Sequence, residues 1–218
     1  MATTPMHKKT VQKKTAPKKI GPWLAVLFAG MWLVAAALGQ RVMLNYDYAA
    51  GTPGAAPKKW PVATQVPRTP GLFSIVVFAH PHCPCTRATV EELARLMAVL
   101  QNRATATVVF VRPAGLSEEW EKTDLWRDAA RIPGASVVSD VTGMETSLFG
   151  AQASGQTMLY DAAGNLRFSG GITASRGHAG DSAGRSAILS VVYTGDSGTS
   201  RTSVYGCSLH NPERAEKE

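Results

Sequence analysis

Apolar and polar positions divide this chain into one long uncharged stretch near the N-terminus and a series of short apolar runs further on. Residues 20–40 carry no charge, and their centre, from Trp23 to Leu38, is almost wholly apolar. About 20 such residues, each rising ~1.5 Å, cross a hydrocarbon core of ~30 Å, so this stretch is expected to be a transmembrane helix. Phe73–Ala79 is a continuous β-branched and aromatic run, the pattern of a strand buried on both faces. Val90, Leu93, Leu96, Met97 and Leu100 recur at spacings of three and four and predict an amphipathic helix. A second strand is expected at 107–112, one helix over 120–130, and a short strand at Val137 and Val138. A hairpin of 158–160 with 166–168 follows around the turn-rich Asp161 to Asn165, and a last helix over 182–192. This order predicts an α/β fold, a mixed sheet with flanking helices, whose first three strands are parallel.

Between the apolar stretch and the first strand, residues 41–71 are dense in Pro, Gly and Ala and read as a semi-rigid linker. Residues 60–66 form a candidate edge strand limited by Pro61. The expected organisation is a basic tail at 1–19, an anchor at 20–40, the linker at 41–71, a folded domain at 72–195 and a C-terminal tail at 196–218.

Charge fixes orientation rather than a ligand. The net charge is +7, but Lys8, Lys9, Lys13, Lys14, Lys18 and Lys19 all precede the first acidic residue, and the remaining basic residues nearly match the 16 acidic ones. The body lacks the basic face that nucleic acid requires. Lysines on the N-terminal flank place the N-terminus in the cytoplasm and the domain on the extracytoplasmic face of the membrane. A cleaved signal sequence is the competing reading, because Ala35, Ala36 and Ala37 are small residues near a possible cut. The length of the apolar stretch and its long basic leader favour a retained anchor.

The candidate chemistry lies in His80-Pro81-His82-Cys83-Pro84-Cys85-Thr86, between a predicted buried strand and a predicted helix. A helix N-terminus stabilises a thiolate through its unsatisfied N–H groups and dipole. Three cysteines, Cys83, Cys85 and Cys207, leave one unpaired within an exported monomer. A Cys83–Cys85 disulfide closes only with strain, which makes such a bond oxidising or isomerising. Alternatively, Cys207 resolves Cys83 or Cys85.

The segment Phe78 to Ala88, together with Tyr160-Asp161 and Phe168 to Thr173, resembles the thioredoxin-like superfamily. Those blocks combined with Arg176-Gly-His-Ala-Gly-Asp181 and Gly206-Cys207 are similar to bacterial membrane-anchored proteins of the RedB family. The resemblance implies a reactive Cys83 at the strand-to-helix tip. Two departures matter: Cys85 comes one position earlier than the resolving cysteine of a thioredoxin, whose place Thr86 takes, and Gly155 stands near the place of the usual cis-proline.

In a thioredoxin topology the glycine-rich loop 170–184 emerges beside the cysteines. Arg176 is then a candidate to hold a thiolate or an anionic group, and His178 a candidate proton carrier or metal ligand. His80 and His82 flank Pro81 beside the thiols, and His82 is a candidate assistant. Cys207 and His210 lie in a tail long enough to fold back.

Three functions fit these residues. The first is a thiol-disulfide oxidoreductase acting on an exported protein or a small thiol or disulfide; Cys83 attacks, Cys85 or Cys207 resolves, and no cofactor is required. The second is a metal-binding assembly protein holding Cu(I) or Zn(II) on Cys83, Cys85 and His178. The third is a noncatalytic interaction scaffold.

Overall fold

A computed structural model describes residues 21–52, 54–196 and 198–209. The lysine-rich tail at 1–19, His210 and the chain beyond it lie outside the described residues. The chain divides into two units, Met1–Met43 and Leu44–Glu218.

Helix α1 (Pro22–Asp47) has 26 residues, about 39 Å of rise, and continues past the expected end at residue 40. None of its residues is buried, and Trp23, Phe28, Trp32 and Leu33 are each more than half exposed. Such a helix leaves a large apolar surface without a protein partner, which a hydrocarbon phase accommodates and water does not. By length and composition α1 is a candidate membrane span.

The second unit is built on strands β1 (Phe73–Ala79), β2 (Ala104–Arg112), β3 (Ala135–Val141), β4 (Thr157–Tyr160) and β5 (Leu166–Gly170), in the spatial order β3-β2-β1-β4-β5. β1, β2 and β3 run parallel, while β4 is antiparallel to β1 and β5 to β4. The helices are α2 (Pro84–Val99), α3 (Glu118–Glu121), α4 (Asp124–Ala130), α5 (Met144–Leu148) and α6 (Ala183–Thr194). This is a thioredoxin-like mixed sheet with flanking helices.

Alternation along β1 explains why its whole run is apolar. Ile75, Val77 and Ala79 face a core shared with Leu93 and Leu96 of α2, Leu125 of α4 and Ile188 of α6. Val76 and Phe78 face a second core with Phe149, Met158 and Tyr160. Each fully buried side chain of this kind contributes roughly 1.5–3 kcal/mol, so the central strand that ends at the cysteines is held from both sides.

The segment expected to be a tether packs instead onto this second core. Trp60 meets Phe149 and Tyr160 edge-on, with ring centroids 5.2 and 5.1 Å apart. The Tyr160 hydroxyl donates to the Pro57 carbonyl at 3.1 Å, and Val66 is buried. The expected edge strand at 60–66 does not form, and the one bridge nearby joins Lys59, just before it, to Asn165. Composition signalled the lack of regular structure; the aromatic and branched residues within the segment supply the packing.

The helix expected over 120–130 is broken into α3 and α4. At the break Thr123 is extended, and its hydroxyl donates to the Pro81 carbonyl at 3.1 Å, tying this connection to the turn before the cysteines. Helix α5 was not anticipated; buried Asp140 accepts from the backbone N–H groups of Glu145 and Thr146 and so holds its first turn. The tail from residue 198 to 209 folds back along the unit, with Val204 and Leu209 buried.

Candidate active site

β1 delivers the chain to a turn in which Cys83 N–H donates to the His80 carbonyl at 3.1 Å and His82 N–H to His80 Nδ1 at 3.2 Å. Cys83 is the N-cap of α2 with extended backbone, and Pro84 follows at the first helical position, where its missing N–H costs nothing. The Cys83 side chain makes no capping bond to its own helix. Its sulfur is directed to other partners at the positive end of α2.

Cys207 is the main partner. Its carbonyl accepts from Ser154 N–H at 2.8 Å, Leu209 N–H donates to the Gln152 carbonyl at 3.0 Å, and Ala153 and Ser208 form an antiparallel bridge. These bonds dock the tail on the loop before β4 and bring Cys207 Sγ to 3.1 Å from Cys83 Sγ, with the cysteines unbonded. Gly206 permits this approach, since a Cβ there would stand 1.8 Å from the Ser154 carbonyl oxygen.

Cys83 is 3% and Cys85 5% exposed, so both sulfurs are withdrawn from water. Hydrogen bonds from Cys207 and then from Cys85 outweigh burial and hold Cys83 well below the ordinary thiol value of 9.0. Cys85 is pushed well above that value, first by its hydrogen bond to Cys83 and then by burial, with Arg176 opposing. Cys207 is raised for the same first two reasons. Distance alone leaves the donor in the Cys83–Cys207 contact open. Cys83 is the one of the two at a helix N-terminus, which favours negative charge there and assigns it the thiolate.

Arg176 is brought to the site, where its positive charge works to lower Cys85. Its backbone N–H donates to the Asp47 carbonyl at 2.9 Å, its Nε to the Ala49 carbonyl at 3.0 Å, and its guanidinium lies 5.3 Å from the Tyr46 ring centroid. The residues that follow the apolar stretch are thus fastened beside Cys85. Buried Glu92 of α2 holds the same loop by accepting from Gly180 N–H at 2.7 Å and pairing with Arg185 at 3.1 Å.

The other candidates are placed differently. His178 is exposed, and its Nδ1 donates to the Arg176 carbonyl at 2.6 Å. His82 Nε2 donates to the Trp120 carbonyl at 2.9 Å, with its ring against the Trp120 ring. Among the described residues no group of three His, Cys, Asp or Glu side chains is arranged to hold a metal ion, so the set Cys83, Cys85 and His178 is not assembled. The cause is the loop, which presents Arg176 to the sulfurs and turns His178 back on its own backbone.

A cleft of about 260 Å³ opens beside Cys83, walled by Pro81, His82, Pro84, Arg87, Thr123 and Asp124. A larger hollow of about 450 Å³ between the ends of β2 and α5 contains no cysteine. Reactive groups rather than size select the first.

Two residues near the thiols carry no functional signal on sequence alone, Ser154 and Thr86. Ser154 stands just before Gly155, the position near that of a thioredoxin's cis-proline, and Gly155 N–H donates to the Phe78 carbonyl at 2.7 Å. Thr86 occupies the resolving position without being able to resolve.

This fold is shared with known structures. The chain is similar to a hypothetical protein from Sinorhizobium meliloti at 18% identity and a TM-score of 0.54, covering 74% of this chain and 93% of that one. It is similar to an uncharacterized conserved protein from Geobacillus kaustophilus at 16% identity and a TM-score of 0.54, covering 74% and 92%. An exposed lipoprotein thioredoxin from Streptococcus pneumoniae aligns at 17% identity and a TM-score of 0.41, over 56% and 84%. No protein-family model matches the sequence, and the comparison with curated proteins gives no match.

Proposed function

We propose that this protein is a membrane-anchored thiol-disulfide oxidoreductase of the RedB type, working on the extracytoplasmic face of a bacterial inner membrane, with Cys83 as nucleophile and Cys207 as resolving thiol. The observation that carries the reading is the approach of the two sulfurs to 3.1 Å at a helix N-terminus.

In the forward direction the Cys83 thiolate attacks one sulfur of a substrate disulfide. A mixed disulfide with Cys83 forms, and the other substrate sulfur leaves as a thiolate. Cys207 then loses its proton to that thiolate or to water and attacks the Cys83 sulfur. The Cys83–Cys207 disulfide forms and the second substrate thiolate departs. The protein is oxidised by two electrons and the substrate reduced by two; the reverse sequence oxidises a dithiol. No cofactor enters either direction. The cleft at Cys83 admits a thiol or disulfide from an exported protein or a small molecule, and the buried position of Cys83 restricts attack to groups that enter it. The lysines before α1 support the proposed orientation.

The test uses the full chain in detergent micelles. Titration against a dithiol couple, with peptide mapping of the alkylated cysteines, is expected to give one two-electron transition joining Cys83 to Cys207. A Cys83 that never leaves the free thiol pool would sink the reading. A reporter fused after Gly71 is expected to be active only outside the cytoplasm.

A further inference from the structure

Three stretches of backbone far apart in sequence meet at Gly206, the neighbour of Cys207: the tail itself, the loop before β4, and the residues that leave α1. Gly51, from the last of these, donates its N–H to the Val204 carbonyl at 2.8 Å. A Cβ on Gly51 would stand 3.0 Å from the Ala153 Cβ and 3.1 Å from the Gly206 carbonyl oxygen. Its backbone therefore lies against both the tail and the loop that docks it. The stretch is fixed before and after this contact. The Asp47 and Ala49 carbonyls accept from Arg176 N–H at 2.9 Å and Arg176 Nε at 3.0 Å. A Cβ on Gly54 would lie 2.2 Å from the Gly150 carbonyl oxygen, a second approach of backbone on backbone.

The tail changes partner along its length. Ser169 N–H donates to the Ser200 carbonyl at 3.0 Å and Gly171 N–H to the Ser203 carbonyl at 3.2 Å, so its course as far as Ser203 is set by β5 and the residue after it. From Cys207 to Leu209 it is held by the loop, through Ser154 N–H, the Ala153 bridge and the Gln152 carbonyl. Val204 and Gly206, between these two holds, are the residues that meet Gly51.

We propose that residues 47–51 are part of the exchange site, with Gly51 the positioning residue that sets Cys207 for its attack on Cys83. This inference rests on the exchange reading and deepens it. Glycine is needed at 51 because a side chain there meets Ala153 and the Gly206 carbonyl, and relief comes by moving the residues that lead into Cys207. The step affected is the second exchange. The Cys207 sulfur bonds to the Cys83 sulfur, and the bond from Cys83 to the substrate sulfur breaks. The substrate leaves as a thiolate, and the Cys207 proton passes to that thiolate or to water. The Cys207 sulfur is oxidised and the substrate sulfur reduced. Attack of Cys83 on the substrate, the first exchange, does not require the tail to be in place.

The experiment mixes the reduced full chain in detergent with one equivalent of a symmetric aromatic disulfide whose thiolate absorbs visible light. The first thiolate is released by attack of Cys83 and the second by closure with Cys207, so one stopped-flow trace reads both steps. Gly51→Val is expected to slow the second phase by about tenfold or more and to leave the first within about threefold, since small misplacements are costly in oriented reactions. Gly51→Ala slows it less, and adding Ala153→Gly, which removes the atom nearest the new methyl group, recovers part of the loss. A second phase in Gly51→Val within about twofold of wild type, or two phases slowed alike, overturns the proposal. Should Gly51→Val fail to fold, an unslowed second phase in Gly51→Ala overturns it. If Cys207→Ser keeps the second phase, the exchange reading falls instead. The positioning role is then decided by hydrogen exchange at the Leu209 amide, faster in Gly51→Val if Gly51 holds the tail and unchanged if it does not.

Discussion

The sulfur of Cys207 lies 3.1 Å from the sulfur of Cys83, across 124 positions of sequence. Holding two groups so far apart in sequence at contact distance replaces a bimolecular encounter by an intramolecular one, worth many kcal/mol when the geometry is fixed. Here the fixing is done by backbone: the tail is bonded at Ser154 and Gln152, and buried at Val204 and Leu209. In the proposed exchange the dithiol comes from a helix tip and a returning tail, and the local Cys83-Pro84-Cys85 motif supplies only one member.

Cys207→Ser removes the resolving thiol and leaves the nucleophile in place. The mixed disulfide on Cys83 is expected to accumulate with a model disulfide peptide, and turnover to drop by at least about a hundredfold, since effective molarities of oriented groups are large. Mass spectrometry of the quenched reaction reads the adduct. Cys85→Ser is expected to cost far less; an adduct that accumulates only in Cys85→Ser would transfer the resolving role to Cys85.

The lowered Cys83 and the raised Cys85 and Cys207 give the reduced protein a stability that depends on pH in two senses. Between the lowered value of Cys83 and 9.0, the unfolded chain binds a proton that the native thiolate has released, so stability rises with pH. Above 9.0 the unfolded chain loses protons that native Cys85 and Cys207 retain, so stability falls as pH rises. Urea midpoints of reduced wild type are expected to move above those of Cys83→Ala as pH climbs from acid towards 9.0. A difference independent of pH would contradict the thiolate assignment.

The sheet, its parallel half, the hairpin and the cysteine tip were legible because each rests on local signals: alternation, spacing and turn residues. What was not legible depends on contacts distant in sequence. The prolines of residues 41–71 announce irregular backbone, but that Trp60 docks between Phe149 and Tyr160 is a property of the completed core. Pairing of Cys83 with Cys207 depends on where a tail of irregular structure lands, which periodicity does not encode. His178 and Arg176 were equal candidates in one glycine-rich loop. Only the folded loop separates them, sending the arginine to Cys85 and the histidine to a backbone carbonyl.

Gly206→Ala places a methyl group 1.8 Å from the Ser154 carbonyl oxygen, which is backbone and cannot rotate away. The tail must shift, and the expected cost is roughly 1–3 kcal/mol, the range for forced overpacking. Because the shifted residue adjoins Cys207, closure of the Cys83–Cys207 disulfide should slow by about tenfold or more, about 1.4 kcal/mol in the barrier. Stopped-flow oxidation with a small disulfide measures it. Closure at the wild-type rate would show that the docking of Gly206 on Ser154 does not control the pair.

His178→Ala tests whether the glycine-rich loop acts through Arg176 or through its histidine. The imidazole is exposed and bonded to the Arg176 carbonyl, and a surface substitution of this kind usually stays within ~0.5 kcal/mol, about twofold in an equilibrium constant. The Cys83–Cys207 equilibrium in His178→Ala is therefore expected to match wild type within about twofold. Arg176→Met, by contrast, removes the cation beside Cys85 and frees the Ala49 carbonyl, so hydrogen exchange at residues 47–49 should accelerate while Cys85 resists alkylation to higher pH. Equilibration of the reduced protein with Cu(I) completes the comparison. One equivalent held by wild type and lost in both Cys83→Ser and His178→Ala would mean that the loop turns over to form a ligand set, and would replace the exchange reading by metal binding.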